Sequence, residues 1–214
     1  MVKDQVRHLL EGRQYDGLLQ LAKEDPEVVT HLVTFLDNRE GLLRWRAIEG
    51  LGHVVAGLSR KDDDFGREII RRFWSENPES GDSGWSAPEA VGEIIKHQPE
   101  RYADLAHLLV NLTYKDDGLR RGVIWALGRI GKRNPGLVAG GMPILLKALA
   151  DPNPEIRGCA AWSLGEIGAQ EAASALGDLR WDHQAVTIYE AGKLWQRTVG
   201  EVALDALANI RARA

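Results

Sequence analysis

Cysteine occurs once in the 214 residues, at Cys159, so no disulfide can form within the chain. That fits a reducing compartment. No uninterrupted apolar run approaches the ~20 residues that a bilayer span needs. The opening segment, Met1 to His8, has no apolar core of signal-peptide length. A cytoplasmic protein without a membrane partner is expected. An excess of basic charge is also missing: 27 Lys and Arg stand against 31 Asp and Glu, for a formal charge of −4. That argues against a general nucleic-acid binder, whose footprint is basic. No GxSxG, GxGxxG, P-loop, HExxH or CxxC pattern occurs, which leaves nucleophilic, nucleotide and zinc chemistry without a motif. Cys159 lies among small apolar residues and reads as an inert buried thiol.

What the sequence does contain is a repeat. Asp151-Pro152-Asn153-Pro154 is turn chemistry, because each proline sets its own φ and biases the residue before it away from the helix. Asn153 suits an N-cap, Pro154 the first helical position and Glu155 the positive end of the dipole. Apolar residues then recur at helical spacing (Ile156, Ala160, Ala161, Leu164, Ile167), and Gly168 can end the helix. With Gly165 as origin, the same frame recurs at Gly52, Gly92 and Gly128, with Ala208 in the equivalent place. The position before the origin holds Leu51, Val91, Leu127, Leu164 and Leu207. Five before it lie Ala47, Ala87, Val123, Ala160 and Ala203, and two after it Val54, Ile94, Ile130, Ile167 and Ile210. Three apolar columns through five copies, each period long enough for two helices, describe a helical solenoid.

The stretch from Asp151 to Gly168 resembles a HEAT-like repeat, of the variety also found in phycobilin lyases, and Arg44 to Gly52 and Leu119 to Gly128 are similar, weaker copies. The resemblance covers most of residues 26 to 168. It implies an all-α fold, a right-handed α-α superhelix of about five helical pairs, in which the second helix of each pair lines the concave side.

In chain order, residues 1–25 read as two short cap helices broken near Gly12, with Leu9, Leu10, Leu18, Leu19 and Leu21 inward. Residues 26–180 read as the repeats and 181–214 as a terminal section of one domain, 1–214. Pro26 opens a helix through Leu36, followed by a second helix from Glu40 to Leu58. Lys61 to Asp64 reads as a charged turn and Asn77 to Gly84 as the most loop-like segment. The next helices are expected at Phe65–Trp74, Trp85–His97, Pro99–Leu112, Leu119–Gly131, Pro143–Ala150, Pro154–Gly168 and Glu171–Leu179. Ala185 to Tyr189 and Leu194 to Thr198 carry β-branched and aromatic residues on either side of Glu190-Ala191-Gly192-Lys193. That predicts a β-hairpin in preference to a helix through Gly192, before a last helix from Val199 to Arg213.

Positions −7, −3 and +1 of the frame are four residues apart and share one helix side. They hold Trp45, Glu49 and His53; Trp85, Glu89 and Glu93; Arg121, Trp125 and Arg129; Gly158, Trp162 and Glu166; and Glu201, Asp205 and Asn209. Tryptophan offers contact area and cation–π attraction, and carboxylates offer charge complementarity. Such a stripe suits a basic peptide segment, a partner helix or a cationic small molecule. The same pattern also arises when tryptophans pack between successive repeats and the carboxylates are solvated. The function expected is a non-catalytic protein–protein interaction scaffold, without cofactor, that binds a partner polypeptide along an acidic, Trp-rich concave surface. The resemblance implies two alternatives: a bilin or tetrapyrrole lyase or chaperone, and a DNA glycosylase of alkylation repair.

Arg44, Arg120 and Arg157 share the −8 place, with Asp37, Asp116 and Asp151 a few residues before them. An Asp–Arg ladder between turns is the expectation, in preference to an anion site. Glu49/His53 and Glu93/His97 are i,i+4 pairs. The adjacent His-Glu pairs that HEAT-like iron hydroxylases carry are absent, so no metal site is expected.

Overall fold

The computed structural model describes residues 1–37, 41–60, 63–75, 87–110 and 116–213, and the chain divides into two compact units, 1–102 and 103–214. The loop expected at 77–84 and Trp85 lie outside the described residues.

In the first unit, α1 (Val2–Glu11) and α2 (Tyr15–Glu24) are separated at Gly12, as the sequence predicts. α3 (Glu27–Thr34) follows Pro26 and tightens into a 3-10 turn at Phe35–Asp37. α4 (Leu42–Leu58) is buried over most of its surface, which fits its apolar and small residues on every side, interrupted by Arg44, Arg46, Glu49 and His53. α5 (Asp63–Ser75) starts inside the charged turn expected at Lys61 to Asp64, so Asp63 and Asp64 open a helix instead. α6 (Ala87–His97) and α7 (Pro99–Tyr102) complete the unit. α4 is its centre, packed on α2 and α6. Leu10 and Leu18 are fully buried against it, whereas Leu9, Leu19 and Leu21 are only half-buried. Side-chain donors close backbone carbonyls at the turns: Gln98 Nε2 donates to Ala56 O at 2.6 Å, and Arg101 donates to Ser59 O.

In the second unit, the helix expected from Pro99 continues as α8 (Ala106–Val110) after a 3-10 turn. α9 (Asp117–Arg133) is capped by Asp116, whose carboxylate accepts from the Leu119 amide at 2.9 Å. A 3-10 segment, Pro135–Gly141, leads into α10 (Met142–Ala148). α11 (Pro154–Ile167) begins at Asn153, whose side chain accepts from the Glu155 amide at 2.9 Å, and ends at Gly168 with φ +81°. Both ends follow the expected capping chemistry. α12 (Ala173–Asp178) follows. The hairpin is present: β1 (Ala185–Glu190) pairs antiparallel with β2 (Lys193–Thr198), Ile188 opposite Trp195. Its turn places Ala191 at φ +51° and Gly192 at φ +82°, the two left-handed positions of a two-residue hairpin loop. α13 (Val199–Ala212) closes the unit behind a capping box, with Thr198 and Glu201 satisfying each other's amides.

The frame's recurrent glycine now has a physical role. A Cβ on Gly52 would stand 2.8 Å from Glu93 Cβ, one on Gly128 2.6 Å from Ser163 Oγ, and one on Gly165 2.6 Å from Ala206 Cα. Glycine marks the point where a second helix meets the second helix of the next repeat at backbone distance. Of the expected Asp–Arg ladder the second unit forms one rung, Arg120 with Asp151; Asp116 caps α9 instead, and Arg157 pairs with Asp182 at 2.8 Å, outside the expected set. In the first unit, Arg44 pairs instead with Glu89 at 2.7 Å.

Candidate functional site

The stripe residues of the first unit come from α4 and α6 and are mostly enclosed. Trp45, Glu49, Glu89 and Glu93 are buried and His53 is half-buried. Arg44 stacks on the Trp45 ring, 4.8 Å from its centroid. Glu49 accepts from Tyr15 OH at 2.7 Å and from Arg13 at 3.4 Å. Burial, with the Glu49 charge beside it, pushes the Tyr15 phenol well above its ordinary value. His53 lies 2.9 Å from Asp16, and Glu93 is met by Lys96 at 3.0 Å and His97 at 3.7 Å. The carboxylates expected to face a ligand are thus neutralised by the unit's own side chains, as burial of charge requires. Among the described residues, no group of three or more His, Cys, Asp and Glu could hold a metal ion.

The second unit brings its stripe together and then covers it. Trp125 and Trp162, one repeat apart, stack with centroids 6.1 Å apart and planes 9° from parallel. Tyr189 of β1 packs against Trp125 at 6.4 Å, and Arg129 lies over the same indole at 5.1 Å. Both indoles are buried, at 2% and 6% exposure. Arg121 is half-buried and donates to Thr187 O at 2.6 Å, while buried Glu166 is paired with Lys132 at 2.7 Å. The open acidic, tryptophan-rich groove expected from the sequence is therefore not what these residues form. Stacking between repeats and the overlying hairpin bury large apolar rings that a groove would leave wet.

Beside that covered stack a cleft of about 260 Å³ remains open, between the hairpin and α13. Its walls include Trp162, Glu190, Arg197, Asp205 and Asn209. Glu190 Oε1 accepts from Trp162 Nε1 at 3.2 Å, and among the described residues no partner occupies its Oε2. Arg197 pairs with Asp205 at 2.7 Å. Trp162, Asp205 and Asn209 are frame positions that the sequence placed on one helix side. Glu190 and Arg197 were not foreseen, since only the fold of the hairpin carries them there. The cue in the sequence was the alternation of charge and apolar residues around the hairpin turn.

Comparison with known proteins agrees with this architecture. A family model described as HEAT repeats matches residues 105–192. An uncharacterised protein of Archaeoglobus fulgidus is 33% identical over 98 residues, covering 46% of this chain and 51% of that one. The chain thus spans about half the length of the relative it matches. Among solved structures, an engineered protein superposes with a TM-score of 0.54 at 18% identity, covering 98% of this chain and 90% of its own. That likeness concerns the fold. A HEAT-like repeats protein of Thermococcus onnurineus reaches a TM-score of 0.40 at 19% identity, over 98% and 80% of the two chains, too distant to carry an argument. The helical pairs and the glycine contacts between them make this a helical repeat protein, and its segment 105–192 is similar to HEAT repeats.

Proposed function

We propose that the chain is a non-catalytic interaction module of the cytoplasm, working without a cofactor, which binds a partner polypeptide through the cleft beside Trp162. The observation that carries this reading is Glu190. One carboxylate oxygen is held by the Trp162 indole, so the group is positioned, and the other has no partner among the described residues. Asp205 adds a second carboxylate, and among the described residues Arg197 is the one cation on the wall. The cleft volume suits a single lysine or arginine side chain, whose charge would meet Glu190 and whose stem would lie along Trp162. HEAT repeats generally bind proteins, and no membrane-spanning helix occurs among the described residues.

The test is affinity capture from the native organism's soluble extract with wild type and Glu190→Gln. The amide keeps an acceptor for Trp162 and removes the charge. A partner held by wild type and held roughly tenfold more weakly by the variant, with binding that falls as salt rises, supports the cleft. Equal capture by both proteins removes the cleft from the interaction, and no specific capture by either counts against the module.

A further inference from the structure

The two outer edges of the hairpin are finished differently. On β1, Thr187 turns its backbone away from β2, and both of its groups are closed. Its amide donates to Glu155 Oε1 at 3.0 Å, and its carbonyl accepts from Arg121 at 2.6 Å. Pairing alternates along an antiparallel ladder, so the residues opposite Thr187 and its neighbours at i±2 face outward on β2: Leu194, Gln196 and Thr198. The Val199 amide bonds to Gln184 O at 3.0 Å, which fixes the same phase. The Thr198 amide is taken by Glu201 at 2.7 Å. Leu194 and Gln196 keep outward amide and carbonyl groups with no partner among the described residues. Edges of this kind are usually blunted by shortness, charged side chains, proline or a bulge, and of these β2 carries only its short length and the charges of Lys193 and Arg197. The β2 register is unbroken and proline-free, and it displays Trp195 at 46% exposure and an exposed Gln196.

We propose that β2 is a homotypic docking edge, at which a second copy of this chain pairs its own β2 antiparallel about a two-fold axis at Gln196. The result is a four-stranded sheet with the two β1 strands outside, each already closed at its centre, Thr187. The side chains select this occupant and this register. Centred on Gln196, each Trp195 stands opposite Arg197 of the other copy, and Leu194 opposite Thr198. The planar guanidinium can stack on an indole while its edge stays paired with Asp205. Centring on Trp195 would put Lys193 opposite Arg197, and centring on Arg197 would set that residue against itself; like charges directly opposite are unfavourable. Centring on Leu194 would run the ladder into the turn at Ala191 and Gly192. The self-paired register is isologous, so it closes as a dimer and does not propagate.

The experiment is sedimentation velocity of the full chain across the micromolar range, for wild type, Gln196→Pro and Trp195→Lys. Because the Gln196 amide points away from β1, proline there spares the hairpin ladder and deletes the intermolecular donor. Trp195→Lys places a cation opposite Arg197. Wild type should reach twice the 23.7 kDa chain mass, and both variants should return to the single-chain mass with an unchanged far-UV spectrum, at least about tenfold weaker in self-association. A wild type that stays at one chain mass throughout overturns the proposal. So does a dimer that Gln196→Pro and Trp195→Lys leave intact, since it must use another surface. Neither result bears on Glu190, whose charge the cleft reading needs and this edge does not.

Discussion

Gly165 meets α13 where a methyl group would lie 2.6 Å from the Ala206 backbone, so at this position volume outweighs helix propensity. Alanine gains up to about 1 kcal/mol in an exposed helix, but overpacking a close helix contact costs about 1–3 kcal/mol. Gly165→Val is therefore expected to destabilise the second unit by an amount in that range, read as a lower urea midpoint at unchanged slope. Trp162 makes the opposite case. Its truncation to alanine opens a large hole beside Trp125 and frees Glu190, and a loss of about 3–5 kcal/mol is expected. At Tyr15 the hydroxyl holds buried Glu49 at 2.7 Å, and Tyr15→Phe should cost about 1–2 kcal/mol in chemical denaturation. Because the Tyr15 phenol is raised in the folded state, its contribution is complete below the ordinary tyrosine range. It is lost only as pH climbs through the higher folded value.

Helix α13 and the hairpin before it show how one short segment joins two kinds of structure. Thr198 ends β2 and caps α13, and Glu201 returns the hydrogen bond to the Thr198 amide. That amide, and then the Thr198 hydroxyl, hold the Glu201 carboxyl below its ordinary value. A depressed acid stabilises above its unfolded pKa and stops doing so as pH falls through its folded pKa. The stability gap between wild type and Glu201→Gln should therefore be present at neutral pH and shrink as pH falls through and below the carboxylate range, followed by thermal unfolding at a series of pH values. In the hairpin turn, Ala191 sits at φ +51°, a region that alanine occupies at a cost and asparagine tolerates better. Ala191→Asn is expected to raise the melting temperature, by an amount corresponding to about 1 kcal/mol or less.

For the whole molecule, the proposed function puts binding beside the repeats' tryptophans and not upon them. In an open array the inner faces of the second helices are free for a ligand. Here the chain's own side chains occupy them: Tyr15 and Arg13 reach Glu49 in one unit, and β1 covers Trp125 in the other. Beside the covered face, the second unit keeps open a cleft at the flank of the hairpin and the outward edge of β2. Partner capture should therefore respond to Glu190, and chain mass in solution to Gln196 and Trp195, each without the other.

The helices, their caps, the repeat frame and the hairpin were legible in the sequence because they follow from local chemistry. Asn153, Pro154 and Gly168 state where α11 begins and ends, apolar spacing states which side it buries, and Ala191-Gly192 between β-branched runs states the turn. Even the stack of Trp125 on Trp162 follows from their shared frame position. The candidate site was only half legible. Trp162, Asp205 and Asn209 share a frame position or lie a turn from one, so periodicity found them. Glu190 and Arg197 belong to the hairpin, and the side of α11 on which that hairpin lies is set by the contact of Gly158 with Val186 and by the bonds from Glu155 and Arg121 to Thr187. Those are contacts between residues about 30 and 66 apart in sequence. Helical period carries no information at such a separation, so whether a stripe of tryptophan and carboxylate faces solvent or is covered was decided by tertiary packing alone.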